Sequence, residues 1–370
     1  METYAIYLKP KSSFISWPAS DTLFGAFCWA IYQLYGKERL EEEINKFREK
    51  PTFILSSAFP LLKRDGILVH FFPRPLIREL KSDDIEILAK ERIGKKVEEE
   101  LLDFKRGIVS VNERLKELKK VGYVSESIFN EIVEDSLSLK GIFQRFRDTG
   151  TSEKDIEKLG NTLITFNERE KIDPEKELKS IFNESDVIRN QIDRVACTTV
   201  EGLLFYNKEI SLHKIYGGLW FLLETDDFEF LKPLFRYLED TGIGGERTSG
   251  KGHFEITWNE KPCQIPEAKN PDSFIILSRW VPNENERGFD NGFASWNMFN
   301  LRSKRETMYH TGGERILKDL LRVFSEGSIF PLKEKKQYYG KLVPVGNMGT
   351  YTAYHNGLAL PVFAKMGDIK

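Results

Sequence analysis

TGIGGERTSGKGHFEI, residues 241–256, holds five glycines in a short span: Gly242, Gly244, Gly245, Gly250 and Gly252. Glycine takes φ > 0 without penalty and lets another backbone or a ligand come close. Arg247, Thr248, Ser249 and Lys251 stand among them as donors suited to phosphate oxygens, beside exposed backbone N–H groups. The order of elements around the loop separates two folds. A P-loop or dinucleotide fingerprint runs strand, glycines, helix, so that phosphate meets a helix N-terminus. Here the order is reversed. Leu231, Leu234, Phe235 and Leu238 mark a helix before the loop, with Pro233 expected in its first turn, and HFEITW (253–258) reads as a strand after it. GERTSGKG also lacks the G-K-S/T ending, which argues against ATP or NAD. A helix C-cap and a tight turn account for Gly242 alone. Contact with a phosphate backbone accounts for the rest of the loop.

Outward from the loop, residues 3–9 alternate as a strand, and Ser20 or Asp21 is placed to cap a helix over 22–35, followed by a charged helix over 38–48. Strand-like runs follow at 52–59 and 67–72. Residues 78–185 are rich in Lys, Glu and Asp and read as an insertion, largely helical and partly mobile. Strand signals return over 186–223. Without the insertion the order is β-α-β-β-α-β, the ferredoxin-like arrangement. Lys261–Asp272 carries three prolines and reads as a linker. Beyond it come strands near 274–280, 342–345 and 358–363, a short helix over 314–321 behind the capping box at Thr311 and Glu314, and a stretch 322–330 that period alone leaves as helix or strand.

Length and composition bound the function. At 370 residues the chain is long enough for two domains, and with 40% hydrophobic and 30% charged residues it can bury a core. Its net charge of −2 argues against an overall basic coat but leaves room for a local basic groove. Cys28, Cys197 and Cys263 lie far apart, which excludes a disulfide scaffold and a zinc module and fits a reducing cytosol. The uncharged run 22–36 is shorter than the roughly 20 residues a membrane span needs. No small-residue cleavage site follows it cleanly, so a cytoplasmic chain with no membrane contact is expected.

Four segments together carry a resemblance: SDTLFGAFCWAIYQLYG (20–36), ILSSAFP (54–60), RNQIDRVACTTVEGLLF (189–205) and TGIGGERTSGKGHFEI (241–256). EGSIF (326–330) and YHNGLALPVF (354–363) add to it. The combination resembles the RAMP proteins of CRISPR systems, and within them the Cas-five group that supplies subunit four of type III-A Csm effector complexes. The likeness covers roughly 1–75, 189–258 and 320–370; the insertion matches no motif. It implies an α+β chain of tandem ferredoxin-like (RRM-like, RAMP) domains: 1–260, with the insertion at about 78–185 and the glycine-rich loop 242–252, and 273–370. It further implies a subunit with no nuclease activity, no cofactor and no metal. Such a subunit holds the repeat-derived 5′ handle of the crRNA, meets target RNA only indirectly, and joins the large polymerase-like subunit to the backbone RAMP subunit in antiviral defence. The family's loop maps onto Gly244–Gly252. Ala196 and Cys197 depart from the family's usual R-x-T-G-T.

The remaining candidates are weighed on chemistry. Residues 188–212 form a long hairpin, with Arg189 and Arg194 placed for phosphates and Ile192 or Val195 for wedging between bases. Lys9, Ser12, Ser13 and Ser20 line the loop after the first strand and offer a second approach to the same RNA; as isolated residues they also suit turn chemistry. Residues 300–341 hold ten Lys/Arg against five acids, the one basic block, equally suited to RNA or to solvent. FASWNMF (293–299) suits a core or a subunit contact. The five histidines are too scattered for a metal site. His253, next to the loop, is the residue a metal-independent RAMP endoribonuclease processing crRNA precursors would use as a base, which is the rival reading. Asp21 and Asp193 are not placed as a metal pair.

Overall fold

A computed structural model of the chain describes all residues except 94–100, 147–154, 194, 288–292, 305–316, 348–350 and 368–370. β1 (Glu2–Pro10) alternates as read: Tyr4, Ile6 and Leu8 are buried on one face. α1 (Ser20–Glu49) follows, bent at Gly36, whose φ of 88° breaks the helix where the apolar half gives way to the charged half. Neither Ser20 nor Asp21 caps it: Ala19 is the N-cap and makes no side-chain hydrogen bond there.

The run at 52–59 is two strands, β2 (Phe53–Leu55) and β3 (Phe59–Arg64), and β4 (Ile67–Pro73) returns along β3. The break has a physical cause. Ser56 still pairs with Leu222, but Ser57 N–H donates to Leu277 O, 2.9 Å away in the other half of the chain.

The insertion is not simply helical. It contains α2 (Ser82–Ile93), α3 (Leu101–Lys119), β5 (Tyr123–Ser125), α4 (Glu126–Val133), α5 (Leu139–Arg145), β6 (Ile156–Leu159), β7 (Thr162–Thr165) and α6 (Phe166–Ile172). Its three strands add to the sheet through β4, in the order β4-β5-β7-β6. Strands of three or four residues are too short to show a period of two, so they were invisible to periodicity.

β8 (Phe182–Asp193) and β9 (Thr198–Leu212) make the long hairpin, and β10 (Gly217–Thr225) leads into α7 (Phe228–Thr241), the loop, and β11 (Phe254–Trp258). Pro233 sits in the second turn of α7, not the first. In the sheet β1 lies between β11 and β10, and β10 between β1 and β3. α1 and α7 cover one face. Leu23, Phe27, Ile31, Leu231, Leu234 and Phe235 pack there against Ile6, Leu8, Leu219 and Phe221, each side chain contributing about 1.5–3 kcal/mol of burial.

Beyond the linker, β12 (Ser273–Ile276), β13 (Met298–Leu301), β14 (Leu321–Phe324), β15 (Ile329–Pro331), β16 (Leu342–Asn347), β17 (Thr352–Asn356) and β18 (Pro361–Ala364) form a three-stranded sheet, β15-β12-β18, and two strand pairs. Thr311 and Glu314 lie outside the described residues. Residues 317–321 are not helical, because Leu317 bridges Lys304 and Leu321 opens β14. The ambiguous 322–330 resolves into β14, a turn and β15. One apolar cluster holds Ala5, Phe59 and Trp220 together with Ile275, Ile329, Leu360 and Val362, so the two sides of the linker share a core.

Candidate nucleic-acid interface

The base of the glycine-rich loop is sewn to the segment that follows β1. Ile243 N–H donates to Gly252 O (2.8 Å) and Gly252 N–H to Ser13 O (2.9 Å). Lys11 N–H donates to His253 O (2.8 Å), and His253 N–H to Ser12 Oγ (3.0 Å). Gly252 is demanded by this closure: its φ is +70°, and a Cβ there would lie 2.2 Å from Ile243 O. The crest differs. Gly245 has an ordinary φ and a Cβ on it would meet nothing within 4 Å, so the fold gives no reason for glycine at that position. Around it Arg247–Ser249 form one 3₁₀ turn between left-handed Glu246 and Gly250, and Gly245, Glu246, Thr248, Ser249 and Gly250 are exposed. The crest is therefore open backbone with room above it.

Two of the predicted phosphate ligands converge on a residue that sequence reasoning missed. Lys251 Nζ donates to Glu209 Oε2 (2.6 Å), Ser13 Oγ to the same oxygen (2.8 Å), and Arg189 Nη2 to Oε1 (3.0 Å). The Glu209 side chain is 8% exposed. Lys251 above all, with Ser13 and Arg189 behind it, holds its carboxyl down to about 2. Two cations around one carboxylate leave a single positive charge, so Lys251 and Arg189 serve first to lock the loop onto the hairpin. Arg189 Nε is buried with no hydrogen-bond partner among the described residues. The signal that could have found Glu209 is an acid on the inward face of a strand, opposite the loop's lysine.

The hairpin is an apolar arm on both faces. Ile188 stands opposite Tyr206, Arg189 opposite Phe205 and Asn190 opposite Leu204. Ile188 is 59% exposed, Leu204 66%, Phe205 48%, Tyr206 66% and Val195, at the tip, 96%. Its root is held by Phe14, which exchanges both backbone hydrogen bonds with Ile210. Arg194 lies outside the described residues, as do the side chains of Ile192 and Asp193.

Ser20 is a correction. It is 0% exposed: its N–H donates to Ser57 Oγ (2.9 Å) and its Oγ accepts from Arg279 N–H (3.0 Å), so it cannot face an RNA surface. Around it the resemblance-bearing segments meet. Arg279 Nη1 lies 2.9 Å from Asp21 Oδ1, Ser57 Oγ donates to Glu326 Oε1, and His355 Nδ1 is 3.8 Å from Asp21 Oδ2. Lys318 points inward to the same place, its ammonium pKa lowered by burial. SDTLFGA, SSAFP, EGSIF and YHNG therefore build the junction between the two sides of the linker.

In the basic block 300–341, Lys335 pairs with Glu267 and Lys336 with Glu334, Lys318 is turned inward, and Arg305 and Arg315 lie outside the described residues. Lys9 lies within β1 and pairs with Glu255 (3.0 Å). In FASWNMF, Trp296 stacks on Phe330 yet stays 44% exposed, beside Met298 at 46%. Among the described residues no group of three His, Cys, Asp or Glu is placed to hold a metal ion, and no helix is long and apolar enough to cross a membrane.

No family model matches the chain. CRISPR system Cms protein Csm4 of Thermococcus onnurineus (strain NA1) is 28% identical over 283 residues, 76% of this chain and 75% of the relative. A chain of the Csm3-Csm4 subcomplex of the type III-A CRISPR-Cas interference complex superposes with a TM-score of 0.59 at 20% identity, over 97% of this chain and 98% of that one. A chain of the Csm1-Csm4 cassette in complex with cA4 gives 0.54 at 18%, over 100% of both. These structural likenesses show the fold. Together with the sequence relative they make the chain similar to proteins of the type III-A CRISPR Csm system. Within that system the proteins it resembles are the Csm4 subunits.

Proposed function

We propose that the chain is a non-catalytic RNA-binding scaffold of a cytoplasmic Csm complex. It holds the 5′ handle of the crRNA and joins a large polymerase-like subunit, of the Csm1 kind, to a backbone subunit, of the Csm3 kind, in antiviral defence; target RNA is met only through the assembled guide. One observation carries the reading. The exposed crest 244–250, with space above Gly245, is locked through Lys251, Glu209 and Arg189 to an arm with apolar residues on both faces. Backbone N–H groups and Arg247 suit phosphates, while Phe205, Tyr206 and Leu204 suit splayed bases, the two needs of single-stranded RNA recognition. Tandem ferredoxin-like domains belong to this proposal. The strand order β11-β1-β10-β3 supports the first; the resemblance alone supports the second.

Binding of labelled handle RNA to the purified chain, alone and with its partner subunits, tests the proposal. Handle affinity above that for an unrelated RNA of equal length is expected, and equal affinity would refute it. The rival endoribonuclease is tested by incubation with repeat RNA in EDTA: no cleavage is expected, and cleavage lost in His253→Ala would establish the enzyme.

A further inference from the structure

We infer that the insertion carries a second contact for single-stranded RNA, in a groove at the C-terminal end of α3, independent of the glycine-rich loop. The groove has a volume of about 810 Å³. Its lining holds five cations, Arg114, Lys116, Lys119, Lys120 and Lys158, against two carboxylates, with Lys119 also paired to Glu79 (2.7 Å) at its edge, on a chain whose net charge is −2.

α3 is amphipathic. Val111 and Leu118 are buried, while Lys116 and Lys119 stand exposed in its last turn and Lys120 in the turn that follows. Glu117 accepts from Lys120 (2.8 Å) and from Lys158 on β6 (2.7 Å). The two lysines pull its carboxyl to about 2, so it stays charged and gathers both ammonium groups on the rim.

The groove also has a flat apolar element. Arg114, a residue 8% exposed, has its guanidinium over the Phe143 ring, 5.3 Å from the centroid, and over that of Phe146 at 5.0 Å. Phe146, only half-buried, offers its ring to the groove with a planar cation beside it, a platform on which a base can stack. The exposed lysines meet phosphates as point charges. A carboxylate-rich peptide would use the lysines but leave the ring idle, and a duplex would bury its bases away from it. Single-stranded RNA uses both.

The test uses the full chain with two labelled RNAs, a long unstructured strand and a strand of handle length. Lys116→Glu with Lys120→Glu should weaken binding of the long strand about tenfold. It should also lower the log–log salt slope by about 1.4, two phosphates at about 0.7 each, and leave the handle-length strand unchanged. Phe146→Leu, which keeps an apolar side chain in place, should weaken the long strand without changing that slope. Long-strand affinity unchanged in both variants would overturn the inference. So would protection of Lys116 and Lys120 from acetylation by polyglutamate but not by RNA, which would make the groove a protein site. Failure of the handle proposal reads differently: it would show in the handle-length strand and in Gly245 variants, neither of which touches α3.

Discussion

Lys251 Nζ, on the glycine-rich loop, lies 2.6 Å from Oε2 of Glu209, in the root of the long hairpin 42 residues earlier. The pair joins two segments that the sequence offers separately as RNA ligands. It also makes their geometry interdependent: the loop crest is placed by the hairpin that flanks it.

The loop's glycines should divide into two kinds. Gly252→Ala drives a Cβ into Ile243 O at a left-handed φ and should cost roughly 1–3 kcal/mol or more, read as a lower Tm. Gly245→Leu places its side chain in open space at an ordinary φ. Its Tm should hold, with ΔΔG within about 0.5 kcal/mol, while handle affinity falls at least tenfold. Equal loss of Tm in the two variants would make Gly245 structural.

Glu209 fixes a pH dependence. Its carboxyl is depressed to about 2 in the fold, so the lock is present above the ordinary unfolded value of about 4.3 and is lost as pH falls through about 2. Hydrogen exchange of residues 243–252 should thus be protected equally at pH 5 and pH 7. Glu209→Gln should imitate protonation at neutral pH and speed that exchange. Exchange unchanged in the variant would show that the lock does not hold the loop.

How much of this was legible depended on length and locality. β1, β4, the long hairpin, α7 and β11 carry enough residues to show a period or lie beside strong breakers, and they were read near their places. β5, β6 and β7 are three or four residues long and gain their stability from β4, a neighbour no local pattern names. Ser20 looked like a cap because Ser at a helix start usually is one; here Arg279, 259 residues away, takes its hydroxyl. Glu209 was missed for the same reason: its partners are brought by the fold, not by spacing.

The junction should be strongly non-additive. Asp21, 9% exposed, keeps Arg279 as its ion-pair partner. Arg279→Met should cost up to about 3–5 kcal/mol by taking from a buried carboxylate its hydrogen-bonded cation and leaving only the more distant His355 and Lys318. Adding Asp21→Asn should recover part of that loss in a double-mutant cycle. Simple additivity of the two would show that the residues do not interact.

His355 gives the junction its own titration. Burial, opposed by Asp21, lowers its imidazole from 6.5 to about 4. The unfolded chain therefore binds the proton first. Stability is full above about pH 6.5 and is lost as pH falls toward 4, by an amount on the order of a few kcal/mol. His355→Gln should flatten Tm between pH 7 and pH 5, and an unchanged slope would assign that window to other groups.

The central claim is that the crest and the arm face RNA. Photo-crosslinking of 4-thiouridine-labelled handle RNA in the assembled complex, mapped by mass spectrometry, tests it most directly. Crosslinks at residues 244–250 and 188–206 are predicted. Crosslinks confined to other parts of the chain, with both segments unmodified, would contradict it.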